Sequence, residues 1–65
     1  MKSYSSREVI SKLTEDGWYL ITIEGSHHHF KHKTKKGKTT VKHPCQDIPP
    51  KTVRAIGKQS GLLFK

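Results

Sequence analysis

The sequence predicts a small α+β domain: a two-layer sandwich of order α-β-β-β-α, in which a three-stranded antiparallel sheet carries both helices on one face. Three observations lead there. Two segments, one toward each end, place apolar residues at helical spacing between a start signal and a stop signal. Between them lie three runs of β-formers joined only by short polar or glycine turns, and short links make the sheet an antiparallel meander. Finally, 65 residues with 31% hydrophobic content support one small core, so the helices must share the sheet to bury their stripes. A single domain over residues 1–65 is expected.

The elements follow in order. Ser5-Ser6-Arg7-Glu8 has the Ser-x-x-Glu pattern of a capping box, in which each end residue satisfies an N–H of the other. Val9, Ile10 and Leu13 form the stripe behind it, and Gly17 stops the helix, predicting α-helix over about residues 6–16. Trp18-Tyr19-Leu20-Ile21-Thr22-Ile23 is dense in β-formers and reads as a strand. Glu24-Gly25-Ser26 is turn-like. His28 to Lys33 has Phe30 as its apolar anchor and suits a half-exposed strand. Thr34-Lys35-Lys36-Gly37-Lys38 is a polar hairpin turn, and Thr39-Thr40-Val41-Lys42-His43 is a third strand ended by Pro44. Pro49-Pro50 opens the second helix, where a missing N–H is cheapest. Val53 and Ile56 are its buried stripe, and Gly61 ends it with Leu62 behind. Gly57, inside that helix, is expected to mark close packing against the sheet.

Composition narrows the function classes. Thirteen Lys and Arg against five Asp and Glu give a net charge of +8. No run approaches the ~18 apolar residues of a membrane span. Met1-Lys2-Ser3-Tyr4 leads into no apolar stretch, so no secretory signal is expected. The single cysteine, Cys45, excludes an internal disulfide framework and fits a reducing cytoplasm. The charge is also uneven. Between residues 25 and 46 there is no acid, while Lys31, Lys33, Lys35, Lys36, Lys38, Lys42 and all five histidines fall there. A polyanion is the natural partner of such a surface, because each neutralised phosphate releases counterions. A merely solvated face is the plain alternative.

Gly25-Ser26-His27-His28-His29-Phe30 is the densest chemical signal. Imidazole is the side chain suited to exchanging protons near neutrality. RNA carries its own nucleophile, the 2′-hydroxyl, so one placed histidine with lysines nearby supplies much of what its cleavage needs. No metal or other cofactor is expected: His28 and His32 lie too far apart along an extended strand to share one ion, and no Cys-x-x-Cys pair exists. Surface histidines that only decorate a strand are the plain alternative. Strand alternation puts His28 and His32 on the side of Phe30 and sends His27, His29, Lys31 and Lys33 outward. That favours His27 for an open basic face, unless a bulge at the start of the strand frees His28.

The order of elements resembles the double-stranded-RNA-binding-domain arrangement. Three sequence pieces extend the likeness: the helix closed by Asp16-Gly17-Trp18; the Gly25-Ser26-His27-His28 turn leading to Phe30; and the tail Val41-Lys42-His43-Pro44, Asp47-Ile48-Pro49, Thr52-Val53-Arg54-Ala55-Ile56, Lys58-Gln59-Ser60-Gly61-Leu62. Together the chain resembles the HicA (YcfA-like) toxins over nearly its whole length. The resemblance implies the toxin of a type II toxin–antitoxin pair. Such a toxin is an mRNA interferase with one active-site histidine, is covered by a HicB antitoxin, and meets DNA only through that antitoxin. It points to His27 or His28 as that histidine, and Gly25 matches the motif's turn residue. RNA is then expected along Gly25, Ser26, His29, Lys31, Lys33, Lys35, Lys36 and Lys38. A non-catalytic RNA-binding module of the same fold, and a subunit that docks an acidic protein, are the rival classes.

Overall fold

A computed structural model describes residues 3–64. Met1, Lys2 and Lys65, and with them the ends of the expected 1–65 domain and part of the Met1-Lys2-Ser3-Tyr4 segment read for a secretory signal, lie outside the described residues. The elements are α1 (Ser6–Glu15), β1 (Tyr19–Glu24), β2 (His27–Lys31), β3 (Thr39–Lys42) and α2 (Pro50–Ser60). The expected order holds, with edges shifted. Trp18 leaves the first strand for the core, and β2 starts one residue earlier than expected and ends at Lys31. No helix among the described residues is long and apolar enough to cross a membrane.

α1 forms where its capping box allows. The Ser5 hydroxyl accepts the Glu8 N–H at 3.2 Å, and the Glu8 carboxylate accepts the Ser5 N–H at 3.2 Å. Loss of such a cap costs about 1 kcal/mol. α2 has no side-chain cap and relies on Pro50 at its first position and Gly61 at its end. The sheet order is β1-β2-β3, both pairs antiparallel. Val9 and Leu13 from α1, Val53 and Ile56 from α2, and Phe30 and Val41 from the sheet are buried in one cluster with Tyr4, Trp18 and Ile48. Both helices therefore lie on one face of the sheet.

Their cover stops short, however. Tyr19, Leu20, Ile21 and Ile23 of β1 are each about half exposed, at 45–51%. The cause is a tie between the two ends of the fold. Ser6 N–H donates to the Cys45 carbonyl at 2.7 Å, and Ile48 N–H to the Tyr4 carbonyl at 2.8 Å. These bonds hold the start of α1 beside the β3–α2 connection and draw both helices over β3, away from β1. Gly57 also differs from expectation. A Cβ there would meet the Leu62 carbonyl at 3.0 Å and Phe64 at 3.6 Å, so its closeness is to the returning C-terminal segment and not to the sheet.

The far end of α1 is tied as well. Gly17 has φ +103°, and a Cβ on it would lie 2.9 Å from His32 Nε2. That space lets His32 Nε2–H donate to the Asp16 carbonyl at 2.7 Å, with the ring edge-on to Trp18. Lys35 Nζ donates to the Asp16 carboxylate and to the Ser60 carbonyl at 3.0 Å, so one lysine joins the ends of both helices. The hydrogen bond from Lys35 holds the Asp16 carboxyl below its ordinary value of 3.8, and the charge of Lys35 adds to it against an opposing effect of burial.

A lowered carboxyl value means that the folded state holds fewer protons than the unfolded one. The contribution of Asp16 to stability is complete above pH 3.8 and is lost as the pH falls below it. Thermal melts between about pH 5 and pH 2 will show an acid-side fall in Tm that Asp16→Asn partly removes. Equal slopes in the two proteins would show that the pair contributes nothing.

Candidate active site

The β1–β2 hairpin turns on two residues, Gly25 and Ser26. Gly25 has φ +61° at the first central position, the requirement of a two-residue type II′ turn. The tight link fixes where β2 begins. Across β2, Phe30 is 3% exposed and faces the helices, which sets the parity of the strand. His28 shares that side and pairs with Ile23 and Val41. His27 faces outward between Glu24 and Lys42, and His29 between Thr22 and Thr40. Among the described residues, the register shifts in β1, between Leu20 and Thr22, and the start of β2 is regular. No bulge therefore turns His28 outward. It is half-buried on the inner side, at the end of the sheet.

There it meets His43. The two imidazole centroids are 5.0 Å apart with the rings at 86°, edge to face. His28 Nδ1–H donates to the Ser26 carbonyl across a long 3.4 Å. A carbonyl only accepts, so Nδ1 carries the proton and Nε2 offers its lone pair. The same carbonyl accepts the His43 N–H at 2.8 Å, binding the start of β2 to the end of β3. His43 Nδ1 lies 2.6 Å from the Ser6 hydroxyl, which also accepts the Cys45 N–H at 2.9 Å. Ser6 is 2% exposed. Neither Nε2 has a partner among the described residues.

The remaining candidates divide sharply. His29 is 8% exposed, with Nε2 2.7 Å from the Glu24 carboxylate and Nδ1 2.9 Å from the Thr40 hydroxyl. Both nitrogens are occupied, so it is sealed on a face where sequence alternation makes it look available. His32 is likewise occupied: it donates to Asp16, and its Nδ1 accepts the N–H groups of Thr34 at 3.1 Å and Lys35 at 3.2 Å. His27 is exposed. Lys31, Lys33, Lys36 and Lys38 are exposed cations, while Lys35 is consumed by Asp16 and Ser60. Gly25 is exposed at the turn, and Ser26 is half-buried and enters the site through its carbonyl. The structure thus brings together Ser26, His28, His43 and Ser6. Sequence reasoning missed the last two as site residues, since Ser6 stood only inside the capping box and His43 only at the end of a strand.

A family model described as the HicA toxin of bacterial toxin–antitoxin matches residues 6–62. That span runs from the first residue of α1 to Leu62 and takes in every residue of the cluster. No curated protein matches the chain.

The histidines differ in what their loss will do to the fold. His32→Ala strands one carbonyl and two N–H groups and is expected to cost about 1–3 kcal/mol in urea unfolding. His27→Ala, on the exposed side of the strand, is expected to stay within about 0.5 kcal/mol of the parent. Equal losses would refute this division.

Proposed function

The chain belongs to the HicA toxin family, and from that premise we propose that it is an mRNA interferase, an endoribonuclease whose active-site imidazole is His28. As a member of the family it is the toxin of a bacterial toxin–antitoxin pair. One observation carries the assignment of the histidine. A general base needs a ring held by one nitrogen with the other left free, and within the Gly25-Ser26-His27-His28 turn only His28 has that form: Nδ1 is held by the Ser26 carbonyl and Nε2 has no partner among the described residues. His27 is exposed, and His29 has both nitrogens taken.

In this proposal the RNA backbone lies against Lys31, Lys33, Lys36 and Lys38, whose charges supply affinity independent of sequence. Gly25 and Ser26 set the turn that aims His28. The His28 Nε2 lone pair takes the proton of a 2′-hydroxyl, the resulting oxygen attacks the adjacent phosphorus, and the bond from phosphorus to the 5′-oxygen breaks to release the downstream strand. DNA, lacking that hydroxyl, is not cut. The partner is a HicB-type antitoxin that covers His28, and any contact with DNA runs through the antitoxin.

Purified protein with His28→Ala is expected to cleave RNA about 10²–10⁴-fold more slowly while keeping its salt-dependent RNA binding. His27→Ala is expected to cut within a few-fold of the parent. Cleavage at the parental rate by His28→Ala would overturn the assignment, and an RNA-binding parent that never shortens RNA would favour the non-catalytic module. A second expectation concerns the partner. A ligand that binds only the folded state stabilises it by mass action, by about 2.7 kcal/mol at 100 times its Kd. Saturating HicB-type antitoxin is therefore expected to raise the Tm, and an unchanged Tm would exclude the pairing.

A further inference from the structure

We propose that the site is a two-histidine site: His43 is a second catalytic residue, the general acid that protonates the leaving oxygen, and Ser6 is the positioning residue that holds it. The inference rests on His28 being the base and adds its chemical complement.

The proton inventory distinguishes the two rings. Ser6 is buried, so its hydroxyl has to be satisfied inside the protein. Among the described residues it has two partners, Cys45 N–H and His43 Nδ1, and the first can only donate. When His43 is neutral, the hydroxyl proton therefore points to Nδ1, and the ring's own proton sits on Nε2. When His43 is charged, the hydroxyl rotates and accepts from Nδ1–H, and Nε2 again carries a proton. In both states the free nitrogen of His43 is an N–H. His28 is the reverse: Ser26 fixes its proton on Nδ1 and leaves a lone pair on Nε2. Two half-buried rings 5.0 Å apart thus offer one acceptor and one donor.

That is what cleavage at a 2′-hydroxyl consumes. The 2′-oxygen gives its proton to His28 Nε2 and forms a bond to phosphorus. The bond from phosphorus to the 5′-oxygen breaks, and that oxygen takes the Nε2 proton of the doubly protonated His43 ring, which is left neutral. The products are a 2′,3′-cyclic phosphate and a 5′-hydroxyl, and no oxidant or other reactant is needed. In the charged ring the Ser6 hydroxyl accepts Nδ1–H, so the proton free to leave is the one on Nε2. A ring that only filled space would need no buried serine on one nitrogen and no vacancy on the other.

The test uses the full chain, purified with its antitoxin and then freed from it, and two RNA substrates that share one scissile linkage. The first is ordinary; the second carries sulfur in place of the 5′ bridging oxygen, a leaving group that departs without a proton. His43→Ala is expected to lose about 10²–10⁴-fold on the ordinary RNA and less than about 10-fold on the sulfur substrate. His28→Ala is expected to lose activity on both. His43→Asn, whose amide can still meet the Ser6 hydroxyl but has no counterpart of Nε2, keeps the fold testable and should behave as His43→Ala does. Ser6→Ala should lower kcat with KM little changed, and Ser6→Thr should restore it. Equal losses by His43→Asn on both substrates, or parental rates on both, would overturn the pair while leaving His28 as base. A parental rate for His28→Ala on ordinary RNA would instead overturn the assignment of the base, and with it the pair.

Discussion

The burial of Phe30 is the constraint from which the rest of the site follows. β2 is the central strand and has one aromatic anchor, so the side of the sheet on which Phe30 lies decides the side of every neighbour. With Phe30 under the helices, His28 is inward and His27, His29 and Lys31 are outward. The two-residue Gly25-Ser26 turn then sets the pairing of β1, and the register with β3 sets Val41 across from His28. His43 follows two residues later, on the side of Val41, and so arrives beside His28. A one-residue slip would send His28 to the open face, where no ring waits for it.

Parity brings the rings together, but polar bonds between distant parts of the chain hold them. Ser6 opens α1 and lies 37 positions before His43, so the helix start is part of the site's scaffold. The opposite end of α1 works the same way. Asp16 offers a carbonyl to His32 and a carboxylate to Lys35, and these anchor the loop between β2 and β3. Five histidines thus have different fates, decided by how many ring nitrogens the fold consumes. His29 and His32 give up both, His28 and His43 give up one, and His27 remains exposed. The lysines are sorted by the same rule, and Lys35 leaves the basic surface because two helix ends require it.

Local patterns made the fold legible. The Ser5–Glu8 box, the Val9–Leu13 and Val53–Ile56 stripes and the glycine turns each state a local geometry whose physics needs no distant partner. The inward side of His28 was also legible, because alternation about Phe30 is local. Two kinds of feature were hidden. One is the set of bonds between segments far apart in sequence, such as Ser6 with His43 or Lys35 with Ser60, which no spacing announces. The other is the extent of helix cover. The pull of the Tyr4–Ile48 bridge toward β3 leaves β1 half exposed although its residues are among the most apolar in the chain. Alternation likewise marked His29 as outward but not that Glu24 and Thr40 close over it.

The place of His28 also explains why a basic sheet face need not carry the reacting group. On an open strand an imidazole has rotamers to lose and a full shell of water to shed before it can act. Half-buried at the end of the sheet, with one nitrogen bound, much of that reorganisation has been completed during folding. The exposed lysines need no such order, since a point charge on a flexible stem holds a phosphate from many angles. Binding and proton transfer thus make opposite demands on side-chain freedom. Lys31, Lys33, Lys36 and Lys38 are exposed to solvent, whereas the paired rings are fixed by a serine and a carbonyl. In a core of this size the hydrogen bonds that fix the rings are also bonds that close the fold, so Ser6 and Ser26 serve the site and the architecture with the same atoms.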